Sequence, residues 1–239
     1  MTDLTGKTAL VTGGSKGIGL GIAREMVRAG LNVGITARNA QEVEAAARQL
    51  SEEGPGRAIG IRCDVRDLQQ QEEAVRRLVD EFGGVYAVIA NAGVGAFGPI
   101  DEFPVEEWHK IIDTNLTGVF YTVKASVAEL KRSNGYLITI GSLAGVNFNA
   151  GSAAYNASKW GITGFSQAIM LDLRKHGIKV STIMPGSVST YFRDNVPSEA
   201  DTWKIQPEDI GEMVMYLLRA PQRTLPSKVE VRPSRPPSS

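Results

Sequence analysis

The chain has 239 residues with Lys and Arg balancing Asp and Glu at 26 each, which is length enough for one α/β domain with a large core and offers no basic surface to nucleic acid or to an anionic membrane. Its one cysteine, Cys63, excludes an internal disulfide framework, and its two histidines, His109 and His176, both in polar stretches, speak against a histidine-built metal site. With neither a signal peptide nor a long apolar span in view, a soluble, cytoplasmic protein without a membrane partner is expected.

The first predicted strand, 7–12, is short and β-prone, and it runs into Thr12-Gly13-Gly14-Ser15-Lys16-Gly17-Ile18-Gly19. A helical pattern over 18–29 follows and closes at Gly30. Strand, glycine-rich turn and helix together lay a pyrophosphate on a helix N-terminus, with glycines permitting the tight turn and the close backbone approach. Further strands are predicted at 32–37, 58–63, 85–90, 136–141, 178–184 and 227–231. Helices are predicted at 40–53, 69–82, 105–132, 153–175 and 207–219. This alternation predicts a single-domain, doubly wound parallel sheet of about seven strands, of Rossmann type, with helices on both faces. Cys63 ends one of these runs and reads as an inert buried thiol. In the helix over 153–175, Tyr155 and Lys159 are four residues apart and share a face. An ammonium held beside a phenol favours the phenolate, so such a Tyr can exchange a proton near neutrality.

These motifs, in this order, resemble the short-chain dehydrogenase/reductase family over about residues 4–231. The family's Thr-Gly-x-x-x-Gly-x-Gly matches Thr12 to Gly19, which places Gly13, Ser15, Lys16, Gly17, Ile18 and Gly19 at the cofactor. Its Asn-Ala-Gly matches Asn91-Ala92-Gly93, and its Pro-Gly segment along the nicotinamide matches Pro185, Gly186, Val188 and Thr190. The resemblance implies a catalytic set of Asn115, Ser142, Tyr155 and Lys159, and the interval of 13 from Ser142 to Tyr155 fits it. In that set Ser142 and Tyr155 hydrogen-bond the reacting oxygen and Tyr155 transfers its proton. Lys159 lowers the Tyr155 pKa and reaches the nicotinamide ribose, and Asn115 holds a water.

No carboxylate ends the second strand, where one would take the ribose 2′-hydroxyl; Arg38-Asn39 stand there, and Lys16 lies in the glycine-rich turn. Two cations suit a 2′-phosphate, so the expected cofactor is NADP(H). Asp64-Val65 has two readings: a contact to the adenine, or an Asp that caps the next helix. The expected activity is hydride transfer between NADP(H) and a ketone, aldehyde or secondary alcohol. The overall look is similar to bacterial 3-oxoacyl-(acyl-carrier-protein) reductases, whose substrate is carried on a protein partner. An NADP(H)-binding regulator without turnover is the alternative. A lid is expected over 191–206, with Phe192, Val196 and Trp203 as its apolar members and Arg193 and Asp194 between them, and Phe148 and Asn149 are expected to line the pocket. The domain is expected to end near 231. After it comes a Pro-rich tail, 232–239, in place of the family's usual glycine-rich end. Gly161 and Gly164 in the Tyr155 helix suggest close packing, either on the chain's own sheet or, as in the family, in a homodimer or homotetramer.

Overall fold

A computed structural model describes residues 2–192 and 195–235. Seven strands form one wholly parallel sheet in the order β3-β2-β1-β4-β5-β6-β7. They are β1 (Thr8–Thr12), β2 (Asn32–Ala37), β3 (Ala58–Arg62), β4 (Ala87–Ala90), β5 (Tyr136–Ile140), β6 (Lys179–Pro185) and β7 (Lys228–Val231). The helices are α1 (Gly17–Arg28), α2 (Ala40–Glu52), α3 (Leu68–Phe82), α4 (Val105–Ile112), α5 (Gly118–Ser133), α6 (Ala153–Leu173) and α7 (Pro207–Arg219).

The period of two along each strand sorts the core into two layers. Ala9, Val11, Val33, Ile35 and Ile89 face one side with Ile22 and Met26 of α1, Val43 of α2 and Val214 of α7. Leu10, Val88 and Leu137 face the other with Val75 and Leu78 of α3 and Leu130 of α5. Strands buried on both faces belong in a parallel sheet covered by helices. On the first face α1 and α7 cross at glycine: a Cβ on Gly21 would lie 2.5 Å from the Pro207 carbonyl carbon, and one on Gly211 would lie 2.8 Å from the Gly21 oxygen.

The strand order reverses between β1 and β4, so the loops after these two strands diverge and leave a crevice at their carboxyl ends. Nearly every predicted element forms within a residue or two. The departure is the single long helix expected over 105–132. It is two helices, α4 and α5, joined by a π-helical turn over Asp113–Thr117 in which the Gly118 N–H donates to the Asp113 carbonyl five residues back. The extra residue in that turn belongs to the site described next.

Candidate active site

Thr12 ends β1 and begins the glycine-rich turn. Gly13 and Gly17 have φ of 66° and 57°, the left-handed region where a side chain costs energy. A Cβ on Gly13 would come 2.9 Å from Ala92 Cα, and one on Gly19 would overlap the Gly13 carbonyl. Lys16, exposed, stands at the N-terminus of α1 without a side-chain cap, and the first turn of α1 carries no acid. The leading N–H groups of such a turn can serve an anion. Asn91 fixes the turn to the end of β4: its Nδ2 donates to the Thr12 and Gly13 carbonyls at 2.8 and 3.2 Å, and its N–H and that of Ala92 donate to Thr12 Oγ1. Its amide is therefore a brace for the cradle, while Ala92 and Gly93 form the wall.

Every catalytic or cofactor-binding residue expected from the sequence lines one cleft except Gly19, which lies under the turn, and Asn115, which lies behind the wall. Asn115 is almost fully buried and its side chain makes three hydrogen bonds. Its Oδ1 accepts the Val94 N–H at 2.8 Å, and its Nδ2 donates to the Val94 carbonyl and to Ser158 Oγ. The π-helical turn is what aims it there. A Cβ on Gly93 would sit 3.3 Å from Asn115 Oδ1 and 3.8 Å from Lys159 Nζ, so a small residue lets the three groups converge.

Ser142 follows β5, and its Oγ accepts the Ala144 N–H at 3.1 Å. Tyr155, in the first turn of α6, is pushed above its ordinary pKa by burial and drawn back by hydrogen bonding to Ser142. Lys159 Nζ lies 5.7 Å from the Tyr155 ring centroid and donates to the Ile140 carbonyl at 3.0 Å. Burial pulls its pKa down to about 8. A phenol, a hydroxyl and an ammonium thus meet at one end of the cleft.

At the other end Arg38 and Asn39 follow β2. Arg38 is exposed and makes no ion pair among the described residues, and Asn39 caps α2 by accepting the Glu42 N–H. Asp64 is not the helix cap that one reading allowed. Asp67 caps α3, accepting the Gln69 and Gln70 N–H groups, because the helix begins three residues later than that reading needs. Both Asp64 oxygens instead take the guanidinium of Arg66, at 2.6 to 3.2 Å, which holds the carboxyl below its usual range. Arg66 is thereby a further cation lining this end of the cleft, and only its local turn, invisible in the residue pattern, aims it there. Cys63 is buried and its thiol is pushed up to about 12, hence neutral.

Beyond Pro185, the Gly186 N–H donates to the Val231 carbonyl, and Val188 bridges to Ile205, so the last strand and the end of the expected lid fix this wall. The Thr190 methyl comes within 3.4 Å of where a Cβ on Gly17 would be. Asp201, buried, ties the segment together through Lys204 at 2.6 Å and through Asn195 and Ser189. Trp203 faces the cleft and Val196 faces solvent; Arg193 and Asp194 lie outside the described residues, as do residues 236–239 of the expected tail. Arg232 and Pro233, from the start of that tail, line the cleft. Asn149 lines it too, but Phe148 does not. Its ring is 80% exposed and stacks on Trp160 at 5.4 Å, turned outward by the short 3₁₀ turn at Leu143–Gly145.

Residues 7–201 match the family model for the short chain dehydrogenase. An uncharacterized oxidoreductase of Staphylococcus aureus (strain MW2) is 34% identical over 234 residues, 98% of this chain and all of the relative. The alcohol dehydrogenase of the archaeon Thermococcus sibiricus, solved in complex with 5-hydroxy-NADP, superposes with a TM-score of 0.90 at 29% identity, over 98% of this chain and 99% of that one. A 3-ketoacyl-ACP reductase from Sinorhizobium meliloti 1021 superposes with a TM-score of 0.86 at 33% identity, over 94% and 97%. The chain therefore belongs to the short-chain dehydrogenase family of oxidoreductases.

Proposed function

We propose that the chain is an NADP(H)-dependent carbonyl reductase in which Tyr155 is the proton donor. The observation that carries this reading is the convergence of Tyr155, Ser142 and Lys159 at one end of a cleft whose other end is an anion cradle. The glycine-rich turn fits a dinucleotide, since side chains at Gly13 or Gly19 would fill the space or break the turn. Gly13, Ser15, Gly17 and Ile18 would hold the pyrophosphate on the α1 N-terminus, and Val65, Ala92 and Gly93 would flank the adenosine. Pro185, Gly186, Val188 and Thr190 would flank the nicotinamide. Arg38 and Lys16 favour a 2′-phosphate, and Arg66 neutralises Asp64, which would otherwise repel it. The archaeal neighbour's 5-hydroxy-NADP supports the same choice.

When bound, NADPH supplies the hydride. Ser142 Oγ and Tyr155 Oη donate hydrogen bonds to the carbonyl oxygen as negative charge grows on it. Tyr155 Oη gives up its proton to that oxygen. Lys159, charged below about pH 8, stabilises the phenolate left behind. Asn115 braces the wall through its bonds to Val94 and Ser158. The same groups run alcohol oxidation in reverse. The substrate class is a ketone or aldehyde, with 3-oxoacyl groups on acyl carrier protein as the specific case that the Sinorhizobium neighbour suggests.

NADPH consumption over β-ketoesters, diketones, quinones and aldehydes tests the activity. Tyr155→Phe should lower it at least ~100-fold while NADPH affinity stays near that of the unaltered protein. Turnover retained in that variant would refute the assignment.

We also infer a homodimer through α5 and α6. Gly161 is explained by its own chain, since a Cβ there would meet Leu116 at 3.0 Å, but nothing lies within 4 Å of one on Gly164. Phe120, Trp160 and Leu171 on the same two helices are exposed.

A further inference from the structure

The Tyr155 ring is flanked by two phenylalanines. Phe97, in the loop after β4, has its centroid 5.5 Å away at an interplanar angle of 48°. Phe192, in the segment after β6, lies at 5.6 Å and 50°. Tilted pairs at about 4.5–7 Å are a favoured aromatic geometry. Neither phenylalanine belongs to the hydrophobic cores that hold the sheet and helices together, and Phe192 is 36% exposed. Gly95 makes the seat for Phe192, because a Cβ on Gly95 would overlap the tip of the ring. Trp203 and Tyr191 line the same cleft, together with the neutral polar groups of Ser142 and Asn149. Hydroxyls are thus gathered where a carbonyl oxygen would be held, and rings where its substituent would lie.

We propose that Phe192, seated on Gly95, and Phe97 are specificity-determining residues: they form an aromatic slot beside the Tyr155 hydroxyl that selects carbonyl compounds bearing a flat apolar group, aryl or conjugated, on the reacting carbon. This rests on the reading of Tyr155 as proton donor. Such a group replaces water against the rings and keeps the carbonyl within reach of Tyr155 and Ser142. A methyl in its place leaves the slot unfilled. Gly95 is bare because the slot wall has no room for a side chain.

The test uses the purified protein with NADPH and two α-ketoesters that differ at the reacting ketone, ethyl benzoylformate (phenyl) and ethyl pyruvate (methyl). The unaltered protein favours the phenyl ester in kcat/KM. Phe192→Ala, and Gly95→Ala, which displaces the ring without removing it, each lower the phenyl-to-methyl ratio about tenfold, mainly through KM of the phenyl ester. A ratio unchanged in both variants overturns the slot, as does preference of the unaltered protein for the methyl ester. Ligand-observed NMR with acetophenone separates the slot from the chemistry. Tyr155→Phe keeps the ring contacts and lacks the donor, so acetophenone binding in that variant, weakened by adding Phe192→Ala, supports the slot whether or not either ester turns over. Equal acetophenone binding with and without Phe192 overturns it. Turnover surviving in Tyr155→Phe counts against the proton donor and leaves the slot standing.

Discussion

At position 159 an ammonium is buried with one hydrogen bond, to the Ile140 carbonyl, and desolvation lowers its pKa from 10.5 to about 8. The folded state therefore gives up this proton at lower pH than the unfolded chain. Between these values the unfolded state binds more protons, so stability rises with pH in that window. Lys159→Met cannot titrate and lacks this slope. Urea unfolding at several pH values should show the unaltered protein gaining about 3 kcal/mol on that variant between pH 8 and 10.5. At the opposite end of the cleft, Arg38→Asp removes a fork of donors and sets a carboxylate near Asp64. The ratio of kcat/KM with NADPH to that with NADH should fall about tenfold or more, and an unchanged ratio would mean that Arg38 does not read the phosphate. That Tyr155, Lys159 and Arg38 line one cleft was legible in the sequence, because spacing on a helix or place at a strand end decides where they go. Arg66, Phe97 and Phe192 were not, since each is aimed by a loop whose course no residue periodicity encodes.

Among the elements, the π-helical turn at Asp113–Thr117 was hidden for a related reason. Its one apolar residue, Leu116, continues the helical rhythm of Ile111 and Ile112 before it and Val119 after it, so the wider turn at Asn115 does not break the pattern. Strands and helices elsewhere were legible since strands buried on both faces and amphipathic helices leave strong signals. The α1–α7 crossing supplies a test of how tightly such elements fit. At Gly21 the added Cβ of Ala would meet Pro207 backbone at 2.5 Å, and a backbone fixed at the start of α7 cannot yield as a side-chain tip can. Gly21→Ala should cost roughly 1–3 kcal/mol in urea unfolding despite Ala's better helix propensity. A gain in stability would show that the two helices can slide apart freely.

For the molecule as a whole, the order of motifs and the β-α alternation made the fold legible in the sequence, and assembly is where the sequence left two readings of one pair of glycines. The structure divides them. Gly161 serves internal packing against Leu116, and Gly164 faces open space on an exposed apolar helix face. Light scattering at micromolar concentration should give at least twice the chain mass. Gly164→Arg, which puts a charged side chain into the proposed dimer face, should shift the protein toward monomer with little change in unfolding free energy per chain. A fully active monomer would remove the reason for an open glycine at 164.

The seam between β1 and β4, where the strand order reverses, is the shortest ladder in the sheet, pairing only Ala9–Ala87, Leu10–Val88 and Val11–Ile89. It joins a first half of three strands to a second half of four, and nearly eighty residues of chain separate Val11 from its partner Ile89. A growing chain has therefore made β2 and β3 well before β4 exists to close against β1. The hydrogen bonds of Thr12 and Asn91 then act as the latch on this late closure, and the cleft comes into being only when the latch is shut. A molecule lying across the cleft would touch both halves at once, and so would add a clasp along the seam that has the fewest strand pairs.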